Sequence, residues 1–182
     1  MQLADVIRTT AAIREFTDEP VSDGQLGAIL DQARFAPSGG NRQGWRLICV
    51  QDPSTRRALR DLYCGVWYQY LAAVSAGLVP FAPVTDRDLD RYSIVGGASI
   101  YPFAWNILLS ARDAGLGGVI TTMVTRDEPT AKQLLGVPDE YAVAALLALG
   151  HPRAQPRQLR RAAVADFTTI DRFDGPPLRA EL

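Results

Sequence analysis

The chain contains one histidine, His151, and two cysteines in 182 residues. That scarcity excludes several chemistries at once. A histidine-rich metal cluster is impossible, and no metal site is expected. A Ser-His-Asp triad would have to use the residue directly before Pro152, and no GxSxG elbow accompanies it. His151 therefore reads as structural. Cys49 and Cys64 have neither metal nor redox spacing. Cys49 sits in the apolar run Leu47 to Val50 and is expected to be a buried free thiol. Two thiols without a disulfide framework suit a reducing compartment, so a cytoplasmic location is expected. No GxGxxG follows a strand-like run and no GxxxxGK[ST] is present, which removes the Rossmann and P-loop readings.

Strong charge of either sign is also missing. Nineteen Lys and Arg face twenty Asp and Glu, a formal charge of −1. This gives no electrostatic case for a nucleic-acid or membrane-surface partner. The opening MQLADVIRTT has no apolar h-region, so no secretory leader is expected. The longest weakly polar stretch, Leu71 to Val84, is broken by Ser75, Gly77, Pro80 and Pro83 and is too short to span a bilayer. What remains is an ordinary globular composition, 47% hydrophobic and 21% charged, in a length suited to one domain over residues 1–182. Neither a repeat nor a linker divides it.

Helical patterns dominate. Leu3, Val6 and Ile7 share one face, predicting a helix over the first ten residues. Ser22 and Gln25 form a capping-box pattern ahead of the stripe Leu26, Ile29, Leu30 and Ala33. That helix should end near Ala36, because Pro37 disfavours helix in the residue before it. Pro37 to Gly44, PSGGNRQG, is a loop of turn formers. Trp45 to Gln51 reads as a strand. Asp52-Pro53 opens another helix with Leu59, Leu62 and Tyr63 inward. Tyr63 to Arg91 has no clear period; its Trp67, Tyr68, Tyr70 and Phe81 read as core or interface rather than substrate contacts. A long apolar helix follows from about Tyr92 to Ala114, kinked or started by Pro102 and stopped by Gly115. Val119 to Val124 reads as a strand, Glu128 to Leu135 as a short helix ended by Gly136, and Ala142 to Leu149 as a doubly covered central strand. Val164 to Phe173 reads as extended. Many helices and few strands give an α+β layer fold, a small sheet covered by helices.

Several segments, taken in order, resemble one family. Ile13 to Phe16 with Thr17-Asp18-Glu19-Pro20-Val21 is similar to the RRSVRxF…PV opening of the nitroreductase superfamily. PSGGNRQGW, Pro37 to Trp45, resembles its PSxxNxQPW loop. ARDAGLGGVITT, Ala111 to Thr122, and LGVPDEYAVAALLALGHP, Leu135 to Pro152, complete the match, which extends over about Leu3 to Phe173.

The resemblance implies a mainly antiparallel small sheet in an intertwined homodimer, with FMN between the subunits and NAD(P)H as electron donor. It implies that residues 168–182 form an extension packing on the other subunit. Arg14 matches a flavin-contacting cation. Pro37, Ser38, Gly39, Asn41 and Gln43 match the loop lining the ring. Ile120, Thr121 and Thr122 match the stretch facing flavin N5, and Arg160 and Arg161 match a basic pair for the phosphate. No separate catalytic side chain is implied, because the cofactor carries the redox chemistry.

Elementary chemistry supports these roles. Arginine's planar fork suits a dianionic phosphate. A cation such as Arg14 beside N1 and O2 stabilises the charge of a reduced ring. Asn41 offers both a donor and an acceptor, and Gly39 and Gly40 allow close backbone approach. The expected activity is reduction of flat, electron-poor small molecules, nitroaromatic or quinone in type, by ping-pong hydride transfer. One departure stands out. Thr10, Ala11 and Ala12 occupy positions where the family carries arginine and serine, which removes one or two expected phosphate ligands. It motivates an alternative: a degenerate member of the fold that binds a small molecule without flavin catalysis. Arg8, one turn upstream, is the nearest compensating charge.

Overall fold

Ser22 begins the best-defined helix by the mechanism its sequence announces. Its hydroxyl accepts the Gln25 N–H at 3.2 Å while the Gln25 side chain accepts the Ser22 N–H at 2.9 Å, so two otherwise orphaned donors are satisfied. In the computed structural model, which describes residues 1–76 and 94–178, this helix is α2, Asp23–Ala33. It follows α1, Leu3–Thr9. Then come α3, Pro53–Ser75, α4, Ile94–Asp113, β1, Gly117–Thr121, α5, Glu128–Leu135, β2, Leu146–Gly150, and one-turn α6, Val164–Phe167. Pro53 stands first in α3 and Pro102 lies inside α4. Gly136, at φ 63°, closes α5 in the left-handed conformation that glycine adopts without strain. Phe81 and the start of the helix expected from Tyr92 lie outside the described residues.

The apolar stripe of α2 packs on α4. Ile29, Ala33 and Ala36 meet Phe103, Ile107 and Ala111, with Leu116 closing the cluster ahead of β1. Ala33 and Ala111 have no exposed surface, so the two helices approach through small side chains. Deleting a side chain such as Ile107 from this interior costs about 2–5 kcal/mol.

β1 and β2 pair antiparallel, Gly117 opposite Gly150 and Thr121 opposite Leu146. β1 begins two residues before the expected Val119, at glycines that the packing demands. A Cβ on Gly118 would lie 2.5 Å from Leu149 Cδ2 and 2.7 Å from Leu108 Cδ2; one on Gly117 would lie 2.8 Å from Ile13 Cγ1. It also ends early: Met123–Asp127 is a 3-10 turn with Met123 and Val124 buried. Residues 12–17 run beside the sheet as a strap. Ile13 N–H donates to Gly118 O at 2.9 Å, Thr17 N–H to His151 O at 2.8 Å, and Arg153 N–H to Glu15 O at 3.1 Å.

Four expectations require correction. Trp45 to Gln51 forms no strand, because its backbone finds no ladder partner among the described residues. Cys49 is consequently exposed rather than buried. Ala142 to Val143 do not extend β2, because the Glu128 carboxylate accepts the Val143 N–H at 2.7 Å and draws the chain toward α5; β2 itself is half-buried from Leu146 to Leu149. Val164 to Phe167 is helical rather than extended, since the Asp166 carboxylate accepts the Ala163 N–H at 3.1 Å and closes a turn. Beyond it the tail folds on itself, Thr169 bridging to Pro177 and Leu178 N–H donating to Thr168 O at 2.9 Å.

Candidate functional site

The loop after α2 is shaped by its own side chains. Ala36 is buried beneath it, and Gly39–Asn41 forms one 3-10 turn. Ser38 O accepts the Asn41 N–H at 2.9 Å, and Ser38 Oγ accepts the Gln43 N–H at 3.1 Å. Gln43 Nε2 donates to Asn41 Oδ1 at 3.1 Å. Gly40, Asn41 and Gln43 have φ of 59°, 52° and 48°. Two non-glycine residues in the left-handed region within one loop store strain that the surrounding contacts must hold, and such strain concentrates at binding sites.

Two contacts fix the loop to α4. Gly39 N–H donates to Ser99 Oγ at 3.1 Å. Trp45 stacks on Phe103 with centroids 4.7 Å apart and planes within 8°. Ser38 is half-buried, while Pro37, Gly39, Asn41 and Gln43 are exposed.

Arg14 lies on the strap between the anchors Ile13 and Thr17. Its guanidinium is exposed and makes one long contact, 3.4 Å, to Ala12 O. At the far end of β1, half-buried Ile120 pairs with Leu147, and Thr121 Oγ1 accepts the Met123 N–H at 3.3 Å. Thr122 is exposed, with its carbonyl accepting from Thr125 Oγ1 at 2.7 Å. Arg160 and Arg161 are exposed on the irregular stretch after β2, which Gln155 Nε2 ties to Leu116 O at 2.9 Å. Arg161 Nη1 donates to Arg160 O at 2.8 Å. Among the described residues, none of Arg14, Arg160 and Arg161 has a carboxylate partner, so three guanidinium groups are available to an anion. The loop residues come together in one unit. Among the described residues, no hydrogen bond or ion pair joins Arg14 or the Arg160–Arg161 pair to that unit.

Residues 7–93 and 84–151 match the model of the nitroreductase family. The chain belongs to the nitroreductase family. It is 31% identical over 173 residues to a Thermus thermophilus protein named NADH dehydrogenase, covering 78% of this chain and 82% of that one. Its fold matches that of the NADPH:FMN oxidoreductase from Vibrio harveyi complexed with NAD+, with a TM-score of 0.73 or better: 0.74, at 24% identity, over 94% of this chain and 78% of that one. A BluB-like flavoprotein from Clostridium difficile matches with a TM-score of 0.73 at 20% identity, over 94% of this chain and all of that chain.

In this nitroreductase-family chain the opening departure has a structural account. Thr10 is 7% exposed and its hydroxyl donates to Val6 O at 2.7 Å, closing α1. Ala12 bridges to Gly118 beside β1. Neither position offers a side chain to an anion.

Sequence reasoning missed Ser99, Arg34 and Phe35. Ser99 carried no signal, being one of two serines on a mostly apolar helix. Phe35 did carry one: it falls off the stripe Leu26, Ile29, Leu30 and Ala33, and it is 74% exposed. The aromatics of α3 form a ladder, Tyr63 to Trp67 at 6.1 Å and Trp67 to Tyr70 at 5.1 Å.

Proposed function

We propose that the protein is an FMN-dependent NAD(P)H oxidoreductase whose site is completed by a second copy of the chain. The loop carries this reading: Gly40, Asn41 and Gln43, held at positive φ and pinned to α4, present exposed backbone and amide groups to a flat ring. When bound, FMN supplies the redox chemistry itself, a ping-pong exchange in which NAD(P)H gives up a hydride and leaves before a nitroaromatic or quinone takes its place.

The chain's own residues bind and tune. Asn41 hydrogen-bonds the ring edge, with Gln43 beside it donating to Asn41 Oδ1 at 3.1 Å. Arg14, lacking a carboxylate partner, places positive charge where reduction makes the ring negative. Ile120, Thr121 and Thr122 border the ring's redox-active face, the side chain of Thr121 being held by its turn. Arg160 and Arg161 hold the phosphate through charge-assisted bonds. Among the described residues the loop and the arginines are unconnected, so a dimer that brings one chain's loop to the other's arginines accounts for both. Residues 168–178 follow the exposed Phe167 and display Ile170 and Phe173, and they pack on the other subunit. Among the described residues no helix is long and apolar enough to cross a membrane. The free, exposed Cys49 suits the reducing cytoplasm.

The buried Thr10 hydroxyl favours a second reading, a family member without the cofactor. Absorbance separates the two. Protein mixed with FMN and passed through a desalting column should retain a flavin band, and NADPH added without oxygen should bleach it. A colourless protein after desalting would select the second reading.

A further inference from the structure

We propose that Arg34 and Phe35, at the end of α2, form a shelf for the adenine nucleotide half of the reduced nicotinamide donor; the proposal rests on the oxidoreductase reading. Phe35 is 74% exposed although its neighbour Ala36 is buried. A phenyl ring in water is unfavourable, and nothing in the helix stripe requires an aromatic there. One face of the ring is covered: Arg34 Cζ lies 4.9 Å from the centroid. The guanidinium is itself oriented by Asp31, whose Oδ1 accepts from Arg34 Nε at 2.8 Å.

Only one of the five guanidinium donors is used in that bond, so the terminal nitrogens remain for an anion. Ring, guanidinium, Ala36, Asn41 and Gln43 together line a cavity of about 290 Å³. Gln43 contributes a specific group. Its amide nitrogen gives one hydrogen to Asn41 Oδ1, which turns its carbonyl oxygen toward an exocyclic amino group as acceptor. Adenine offers that amino group on a flat ring able to stack on Phe35, and the nucleotide's phosphates match Arg34.

The cavity shares Asn41 and Gln43 with the loop that the oxidoreductase reading assigns to the flavin. A donor anchored there by its adenine end stays beside the site while its nicotinamide reaches the ring. Remote binding of this kind supplies affinity through a part of the molecule that does not react.

The test uses the full chain loaded with FMN and two probes. ADP-ribose carries the adenine nucleotide without nicotinamide. N-benzyl-1,4-dihydronicotinamide carries the hydride without adenine. Titration calorimetry should show ADP-ribose binding to the wild type, weakened about tenfold in Phe35→Ala and in Arg34→Gln and restored in Phe35→Trp. The KM for NADPH should rise about tenfold relative to any change for the benzyl donor. Unchanged ADP-ribose affinity in both variants, equal effects on the two donors, or a fall in solution mass that marks Phe35 as a subunit contact would each overturn the shelf. Wild type reduced by the benzyl donor yet unable to bind ADP-ribose overturns the shelf alone. Protein that loads no FMN overturns the oxidoreductase reading and the shelf with it.

Discussion

Ser99 Oγ accepts the Gly39 N–H at 3.1 Å across 60 residues of sequence, and this bond fastens the strained loop to the helix that forms the core's centre. A backbone donor held by a hydroxyl fixes the loop without closing it, since the Asn41 and Gln43 side chains remain exposed.

Ser99→Ala should therefore loosen the loop rather than the fold. One hydrogen bond of this type is worth about 1 kcal/mol, so FMN affinity should fall about fivefold. The thermal midpoint should move by no more than about 2–4 °C, and Ser99→Thr should restore binding. Titration of flavin fluorescence checks the affinity. An unaltered Kd in Ser99→Ala would separate the loop from the cofactor.

Arg153 and Arg161 should respond in opposite ways. Arg153 Nε donates to Phe16 O at 2.9 Å and holds the strap, whereas Arg161, among the described residues, donates to the preceding carbonyl alone. Arg153→Ala should lower the thermal midpoint by about 2–4 °C. Arg161→Ala should leave the midpoint in place and weaken FMN about tenfold or more, as the loss of a charge-assisted bond does. Melting curves and flavin titrations on both variants form the check, and equal effects on the two readouts would remove Arg161 from the phosphate site.

Local signals made much of the fold legible. The Ser22–Gln25 capping box, Pro53 at a helix start and Gly136 at a helix end each act within a few residues, so the sequence carries their full cause. Residues 45–51 show where this stops. Leu47, Ile48 and Cys49 read as a buried strand, yet Leu47 is 44% and Ile48 52% exposed; a strand depends on a neighbour that local pattern cannot supply. The loop residues Ser38 to Gln43 were legible as a unit because their turn chemistry is local. Ser99 was not, because its role exists only once α4 lies beside the loop. The start of β1 was obscured for a related reason. Gly117 and Gly118 have low strand propensity, and only the closeness of Ile13, Leu108 and Leu149 explains them.

Asp52 should give an acid-sensitive start to α3. Its carboxylate accepts from the Ser54 hydroxyl, from the Thr55 N–H at 2.7 Å and from the Thr55 hydroxyl at 2.8 Å. These bonds, that of Ser54 foremost, lower its pKa from 3.8 to about 2. A depressed folded-state pKa contributes stability that is present above the unfolded value and lost as pH falls through the folded one. Asp52→Ala should melt about 2–4 °C below wild type at neutral pH, as expected for a lost helix cap. The gap should hold down to about pH 4 and shrink between 4 and 2. A gap that persists undiminished at pH 2 would show that charge has no part in the cap.

The dimer is the last and most consequential expectation. Tyr101 is 46% and Trp105 44% exposed, one turn apart on α4, and Leu47 and Ile48 lie open on a segment whose backbone has no ladder partner among the described residues. The tail adds Phe167 at 69% and Phe173 fully exposed. Contiguous apolar patches beyond a few hundred Å² are uncommon on monomers, and obligate interfaces commonly bury about 2,000 Å² or more. Light scattering at low micromolar concentration should accordingly give about twice the 19.8 kDa of one chain. Trp105→Glu should shift that mass toward the monomer, because burying an unpaired carboxylate in an interface costs more than the contact contributes. Truncation after Asp166 removes the tail aromatics and should weaken the dimer as well. FMN should dissociate in step with the subunits, since the loop of one chain and the arginines of the other would no longer face a common ligand. A truncated chain that is monomeric, folded and still yellow would show that one subunit holds the cofactor alone.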